Sequence, residues 1–160
     1  IVSDRQPAGT MDVTINRHTK IEYRKSLVPA IVIIFKLSSG YYKGKAYHGD
    51  TRIAYLPCVE ESWRVLLAFI QAFKRGLMFD VSHSVTRNVF GICYTNIHQK
   101  SSTRGTYGYP DDGYLFRVSN ELVRAGVWQY VDLPPLTEGK YKVRLSAEVN
   151  KILMAKIRLL

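Results

Sequence analysis

The sequence predicts an α+β domain built mainly on antiparallel sheet, with two principal helices and a C-terminal extension. Three observations lead there. Runs of β-branched or alternating apolar residues come early and again late in the chain. Two stretches between them carry apolar residues at helical spacing. Strands first and last with helices between them favour antiparallel pairing around a single core. A chain of 160 residues, 46% of them hydrophobic, is long enough to fill one.

Residues 9–16 alternate loosely through Met11, Val13 and Ile15 and read as the first strand. Residues 30–37 are apolar and β-branched, as a central strand requires. The Ser38-Ser39-Gly40 turn and a tyrosine-rich segment, 41–47, follow, and then a short strand, 52–56, is stopped by Pro57. The clearest helix covers 60–75, where Trp63, Leu66, Leu67, Ile70 and Phe73 form one stripe. Glu60 and Glu61 stand at its start, and Lys74, Arg75 and Gly76 at its end, matching the helix dipole and the preferred C-terminal glycine. Strands at 77–85 and 89–95 flank Arg87-Asn88. Pro110-Asp111-Asp112 is expected to open a second helix through Ala125, with Tyr114, Val118 and Leu122 as its stripe and Gly126 just past its end. Beyond it, 128–133 reads as a possible strand, Pro134-Pro135 as a break, 140–145 as a strand, and Ser146 as the cap of a last helix through Val149, Ile152, Leu153 and Ile157. The expected division is a domain at 1–127 and an extension at 128–160 packed on it or continuing it.

Composition removes several function classes. No apolar run approaches the roughly 20 residues of a membrane span. Ile1 in place of Met, with no signal-like stretch after it, reads as an excised fragment. Two cysteines 35 positions apart, Cys58 and Cys93, make neither a disulfide framework nor a zinc pattern. They are expected to be buried thiols in a reducing compartment, cytoplasmic or nuclear. Any activity that needs a RING finger is then expected to use a module outside these residues. His18, His48 and His83 have no ligand-like spacing, so no metal is expected. A formal charge of +10 attracts polyanions: nucleic acid, pyrophosphates or acidic protein faces. The positive residues are spread along the chain rather than gathered in a tail, so charge alone does not choose among these partners.

Three constellations carry possible chemistry. Glu121 falls beside Tyr114, Val118 and Ala125 on a helical wheel, at the edge of the apolar stripe. A carboxylate there is partly desolvated and suited to accept a proton, although the same position also fits a peripheral carboxylate turned to solvent. On strand 77–85, Asp80, Ser82, Ser84 and Thr86 share a face that lines either a polar pocket or solvent. His98 follows Tyr94, with Tyr107 and Tyr109 bracketing Gly108 further on, a set able to hold a purine or ribose; a lone surface histidine is the other reading. Rossmann, P-loop, nucleophile-elbow and H-E-x-x-H signatures are absent.

Several motifs, in order, resemble the Deltex C-terminal domain. Gln6-Pro7-Ala8-Gly9-Thr10-Met11 is similar to the Q-P-x-G-x-M at the start of that domain. Arg52-Ile53-Ala54-Tyr55-Leu56-Pro57 resembles R-T-A-Y-L-P, and the long helix follows as in the family. Asn96-Ile97-His98-Gln99-Lys100 resembles N-[DE]-I-H-H-K, with Gln99 in place of one histidine. Tyr107-Gly108-Tyr109-Pro110-Asp111 matches [HY]-G-Y-P-D, and Tyr114-Leu115, Val118 and Glu121-Leu122 fit the helix after it. The resemblance runs from about Gln6 to Val127.

That resemblance implies a pocket for ADP-ribose or NAD. Carried over position by position, Ser84, His98, Tyr107 and Glu121 fall where the family contacts ligand or acts in catalysis. Arg52 and Tyr94 complete the expected ligand-binding set. Glu121 would accept a proton from an attacking ribose hydroxyl while His98 orients the nucleotide. In the family a RING holds ubiquitin-charged E2, and the C-terminal domain brings NAD or an ADP-ribosylated protein to the ubiquitin C-terminus. The alternatives are a non-catalytic reader of ADP-ribose or poly(ADP-ribose), and a basic nucleic-acid-binding domain. Position 107 departs from the members that carry His there, and a phenol is not a near-neutral acid or base. The loop before Arg52 is shorter and lacks N-P-G, which reshapes one pocket wall. Residues 128–160 match no counterpart.

Overall fold

The computed structural model describes residues 3–84, 89–127 and 139–158. The sequence-predicted strand at 128–133, the Pro134-Pro135 break and the Arg87-Asn88 connection lie outside the described residues.

The main sheet contains β1 (Gly9–Tyr23), β2 (Ser26–Leu37), β5 (Asp50–Pro57) and β8 (Tyr141–Leu145), in the order β5-β2-β1-β8. β1–β2 and β2–β5 pair antiparallel, whereas β8 lies parallel to β1, from Gly9 opposite Tyr141 to Val13 opposite Leu145. Two small hairpins flank it, β3 (Gly40–Tyr42) with β4 (Lys45–Tyr47) and β6 (Phe79–Ser84) with β7 (Val89–Tyr94). The three helices are α1 (Glu60–Lys74), α2 (Tyr114–Arg124) and α3 (Ala147–Arg158). The predicted α+β class with mainly antiparallel pairing is what forms, with one parallel edge.

Alternation in the sheet strands puts one set of side chains inside. Met11 and Val13 of β1, Ile31, Ile33 and Phe35 of β2, and Ala54 and Leu56 of β5 are buried with Leu66, Phe69 and Phe73 of α1. Phe35 lies at the centre, its ring 5.4 Å from that of Phe73 and 4.9 Å edge-on to Phe79. The charged opposite ends of α1 match its dipole, and the chain leaves it through Gly76 at φ 74°. There Leu77 N–H donates to Ala72 O and Gly76 N–H to Phe73 O, the paired bonds of a glycine-ended helix. α2 ends in the same way at Gly126.

The opening motif owes its residues to the core. Gln6 is buried; its side-chain amide donates to Phe73 O at 2.9 Å and accepts from Met78 and Phe79 N–H at 2.9 and 3.1 Å. One polar side chain thus satisfies backbone groups at the end of α1 and the start of β6. Gly9 admits no side chain, because a Cβ would come within 2.1 Å of Lys36 O on β2.

Three sequence expectations are corrected. The first strand does not stop at Asn16: the register shifts between Asn16 and Lys20, and pairing resumes to Tyr23. Its turn, Arg24-Lys25, has both residues at positive φ (50° and 65°) without glycine or asparagine, so no turn signal was visible. Arg24 is held by tertiary bonds instead, its N–H to Asp112 Oδ1 and its guanidinium to Glu61, both at 2.9 Å. α2 begins at Tyr114 rather than at Pro110, since the Asp111 carboxylate binds cations in place of capping the helix. Cys58 and Cys93 are unpaired thiols that are only half-buried. Ser146 does cap α3, with Val149 N–H donating to its Oγ at 3.3 Å.

Candidate functional site

The segment after β7 is pinned before it reaches the site. Thr95 Oγ1 donates to Leu77 O at 2.8 Å, and Ile97 is buried. Two further bonds set the backbone on either side of His98 and Lys100: the buried Tyr114 hydroxyl donates to His98 O at 2.6 Å, and Tyr55 N–H donates to Lys100 O at 2.9 Å. Tyr109, buried edge-on to Tyr114 at 6.0 Å, donates to Tyr55 O at 2.8 Å. The R-x-A-Y-L-P, His98 and Y-G-Y-P-D motifs are therefore one hydrogen-bonded unit. Burial pushes the hydroxyls of Tyr109 and Tyr114 well above the usual phenol range, so both act as neutral donors.

Glu121 meets this unit from α2. Its Oε1 accepts the His98 backbone N–H at 2.8 Å and its Oε2 lies 2.7 Å from His98 Nδ1. The carboxylate is sheltered, with 17% of its side chain exposed, while the imidazole is 75% exposed. The helical wheel placed Glu121 correctly at the stripe edge; that it spends both oxygens on His98 was not visible in the chain order.

One turn earlier on α2, Arg117 binds Asp111 through both guanidinium nitrogens, and Lys100 Nζ reaches the same carboxylate at 2.8 Å. The two cations, Arg117 first, hold the Asp111 carboxyl down at about 2. Two cations against one carboxylate leave a positive surplus beside His98. Lys100 also lies 5.3 Å from the centre of the Tyr114 ring.

His98, Tyr107 and Glu121 line one cavity of about 250 Å³ together with Lys100, Tyr114 and Arg117. Tyr107 is 71% exposed, its loop shaped by Gly105 at φ 82° and by the approach of Gly108 to Arg104, where a Cβ would lie 2.4 Å from Arg104 N. A second cavity, about 650 Å³, opens on the other side of His98 and Glu121, bounded by Arg5, Asp80, Asn96 and Arg124. Arg52 and Tyr94 do not line the first cavity. They stack on each other, with the guanidinium 4.9 Å from the ring centre, while Arg52 also binds Asp50 at 2.7 Å and Ile92 O at 3.1 Å. Ser84 closes β6 opposite Val89; its side chain is outside the described set. The polar face of β6 is partly structural: Asp80 pairs with Arg5 at 2.8 Å, and Ser82 Oγ contacts Cys93 Sγ at 3.4 Å. No cluster of three or more metal-ligating residues exists among the described residues. No described helix is long and apolar enough to cross a membrane.

Sequence reasoning missed Lys100, Asp111 and Arg117. The first two sit inside quoted motifs, and Arg117 stands four residues before Glu121 on the same helix face, a spacing that marked it as a neighbour of the site.

Comparison with known proteins agrees with the motif reading. The family model described as Deltex C-terminal domain matches residues 3–127. The human "Probable E3 ubiquitin-protein ligase DTX3" is 42% identical over 90 residues, covering 52% of this chain and 25% of that protein. "E3 ubiquitin-protein ligase DTX1" of Xenopus laevis is 30% identical over 141 residues, covering 81% of this chain and 22% of that protein. The chain thus spans about a quarter of the length of the curated relatives it matches.

Proposed function

The chain belongs to the Deltex C-terminal domain family, and we propose that its His98–Tyr107–Glu121 site binds ADP-ribose or NAD and presents it for ubiquitin transfer. The relatives are E3 ubiquitin-protein ligases. With two cysteines, these residues build no RING, so ubiquitin-charged E2 is held by another module. The domain's part is positioning: it brings a nucleotide hydroxyl, or an ADP-ribosylated protein, to the ubiquitin C-terminus.

One observation carries the reading. Glu121 and His98, 23 positions apart, are joined through both carboxylate oxygens at the wall of a cavity that also holds an exposed tyrosine and two cations. Such a cavity offers a ring face for a base, hydrogen-bond groups for ribose and positive charge for a diphosphate. Arg52 and Tyr94 present a further stacked cation and ring for the same ligand beyond the first cavity.

Calorimetry with ADP-ribose, NAD and a short single-stranded oligonucleotide tests it. ADP-ribose or NAD should bind the wild-type chain, and His98→Ala should weaken that binding by about tenfold. If the oligonucleotide binds with a steep salt dependence while neither nucleotide binds, the charge of +10 serves nucleic acid and the reading is wrong.

A further inference from the structure

α2 turns a different face to each of three surroundings. At about 100° per residue, Tyr114, Val118 and Leu122 point into the core, and Arg117, Glu121 and Arg124 toward the cavities at His98. The third face carries Phe116, Ser119, Asn120 and Val123, at the i, i+3, i+4, i+7 spacing of one helix stripe. Phe116 is 73% exposed and Val123 52%, although both side chains are apolar. A lone exposed apolar residue is ordinary, but two on one helix stripe beside a groove mark an interaction site.

The groove lies between two helices that run side by side in the same direction. At their starts Arg24 joins them, its backbone N–H to Asp112 and its guanidinium to Glu61, both at 2.9 Å. At their ends the Arg75 guanidinium donates to Gly126 O at 3.0 Å. α1 supplies the facing wall through Glu60, Trp63, Arg64 and Leu67, again one stripe over two turns. The cavity between the walls is about 720 Å³, with Trp63 and Leu115 buried in its floor and Leu67 half-buried. We propose that this groove is the docking site of an amphipathic helix from a partner protein, anchored by apolar side chains against Phe116, Val123 and Leu67.

The charges around the groove select the occupant. Three carboxylates, Glu60, Glu61 and Asp112, stand with three cations, Arg24, Arg64 and Lys156. Arg24 pairs with Glu61, and Lys156 with Glu60. On a chain of +10 this mouth carries no net charge, so a polyanion is drawn elsewhere and burial of apolar surface is what holds a ligand here. Toward Val123 the lining continues as Leu67, Ser119 and Asn120, without a charge. The complementary face is therefore apolar and uncharged. A helix presents such a face over two turns, about 10 Å, and packs into a valley of that length with its anchors one turn apart. Ser119 keeps its hydroxyl on Leu115 O at 2.6 Å, so this small side chain needs no outside partner and admits a close approach. The exposed Asn120 amide beside it offers the occupant a polar bond.

The probe is a phage-displayed library of helical peptides about five turns long, randomised along one face, and panned on the wild-type chain. Enriched peptides should carry large apolar residues at i, i+3 or i+4, and i+7 of that face. In calorimetry the synthesised peptide should lose about 30-fold or more in affinity for Phe116→Ala/Val123→Ala. Tyr41→Ala removes an exposed ring on the β3–β4 hairpin and should change that affinity by less than about twofold. Urea midpoints matching wild type show that both variants fold. The proposal is overturned if nothing is enriched, if enriched faces are charged, or if Tyr41→Ala weakens binding as much as the double variant. Sedimentation of the chain alone and its binding to phosphatidylcholine vesicles complete the test. Self-association or vesicle binding that the double variant abolishes would make the occupant a second copy or a lipid surface, and either result refutes the partner helix. Neither Phe116 nor Val123 lines the cavities at His98, so ADP-ribose affinity should be unchanged, and the proposal stands or falls apart from the reading above.

Discussion

Asp111→Asn isolates the charge cluster behind the site at nearly constant shape. In the folded protein the Asp111 carboxyl is drawn from an ordinary 3.8 to about 2, first by the Arg117 guanidinium and then by Lys100. At about 1.4 kcal/mol per pH unit, that displacement corresponds to an upper bound of roughly 2.5 kcal/mol. Arg117 is 56% exposed, so water and salt screen its share, and the expected loss on substitution is about 1–2 kcal/mol. The pH dependence has a definite sign. A depressed carboxyl favours folding only when ionised, so the contribution is complete above pH 3.8 and disappears as pH falls toward 2. Urea denaturation of both proteins between pH 7 and pH 2.5 measures it. The midpoints should differ at pH 7 and converge in acid, with unchanged slopes. A stability difference that stays constant over the whole range would show that Asp111 contributes through packing or its loop, and would refute the electrostatic account.

Gly9→Ala should cost about 2–3 kcal/mol, because the new Cβ can escape Lys36 O only by moving β1 or β2, both central strands; a urea midpoint equal to wild type refutes the close approach. Tyr107→Ala, at a side chain 71% exposed, should leave stability within about 0.5 kcal/mol. The same variant should weaken ADP-ribose binding about tenfold in calorimetry, and unchanged affinity would remove the phenol from the site.

The parts legible in the sequence share a physical cause: their signals are local. The apolar stripe of α1, the glycine after it, the β-branched run of β2 and the alternation of β8 each follow from neighbours within a few positions, so α1 and β8 were predicted nearly to their boundaries and β2 to its end, although β2 starts four residues earlier, at Ser26. The place of Glu121 at the edge of the α2 stripe was read in the same way, from its own helix. The parts that failed depend on partners far along the chain. β1 continues past its bulge because β2 offers a ladder and because Asp112 and Glu61 hold an unfavourable turn. α2 starts late because Lys100 and Arg117 claim the carboxylate that would have capped it.

The chain order by itself determined which side chains this protein has to spend on a site and which elements carry them. Only the tertiary structure decided that β8 returns beside β1 and that Glu121 grips His98 by backbone and ring together. It also put His98 and Glu121 in the walls of both cavities. Hydrophobic periodicity repeats along a helix or strand and can be read in one dimension. A hydrogen bond between residues 98 and 121 leaves no periodic trace, because it exists only once the intervening loop has closed.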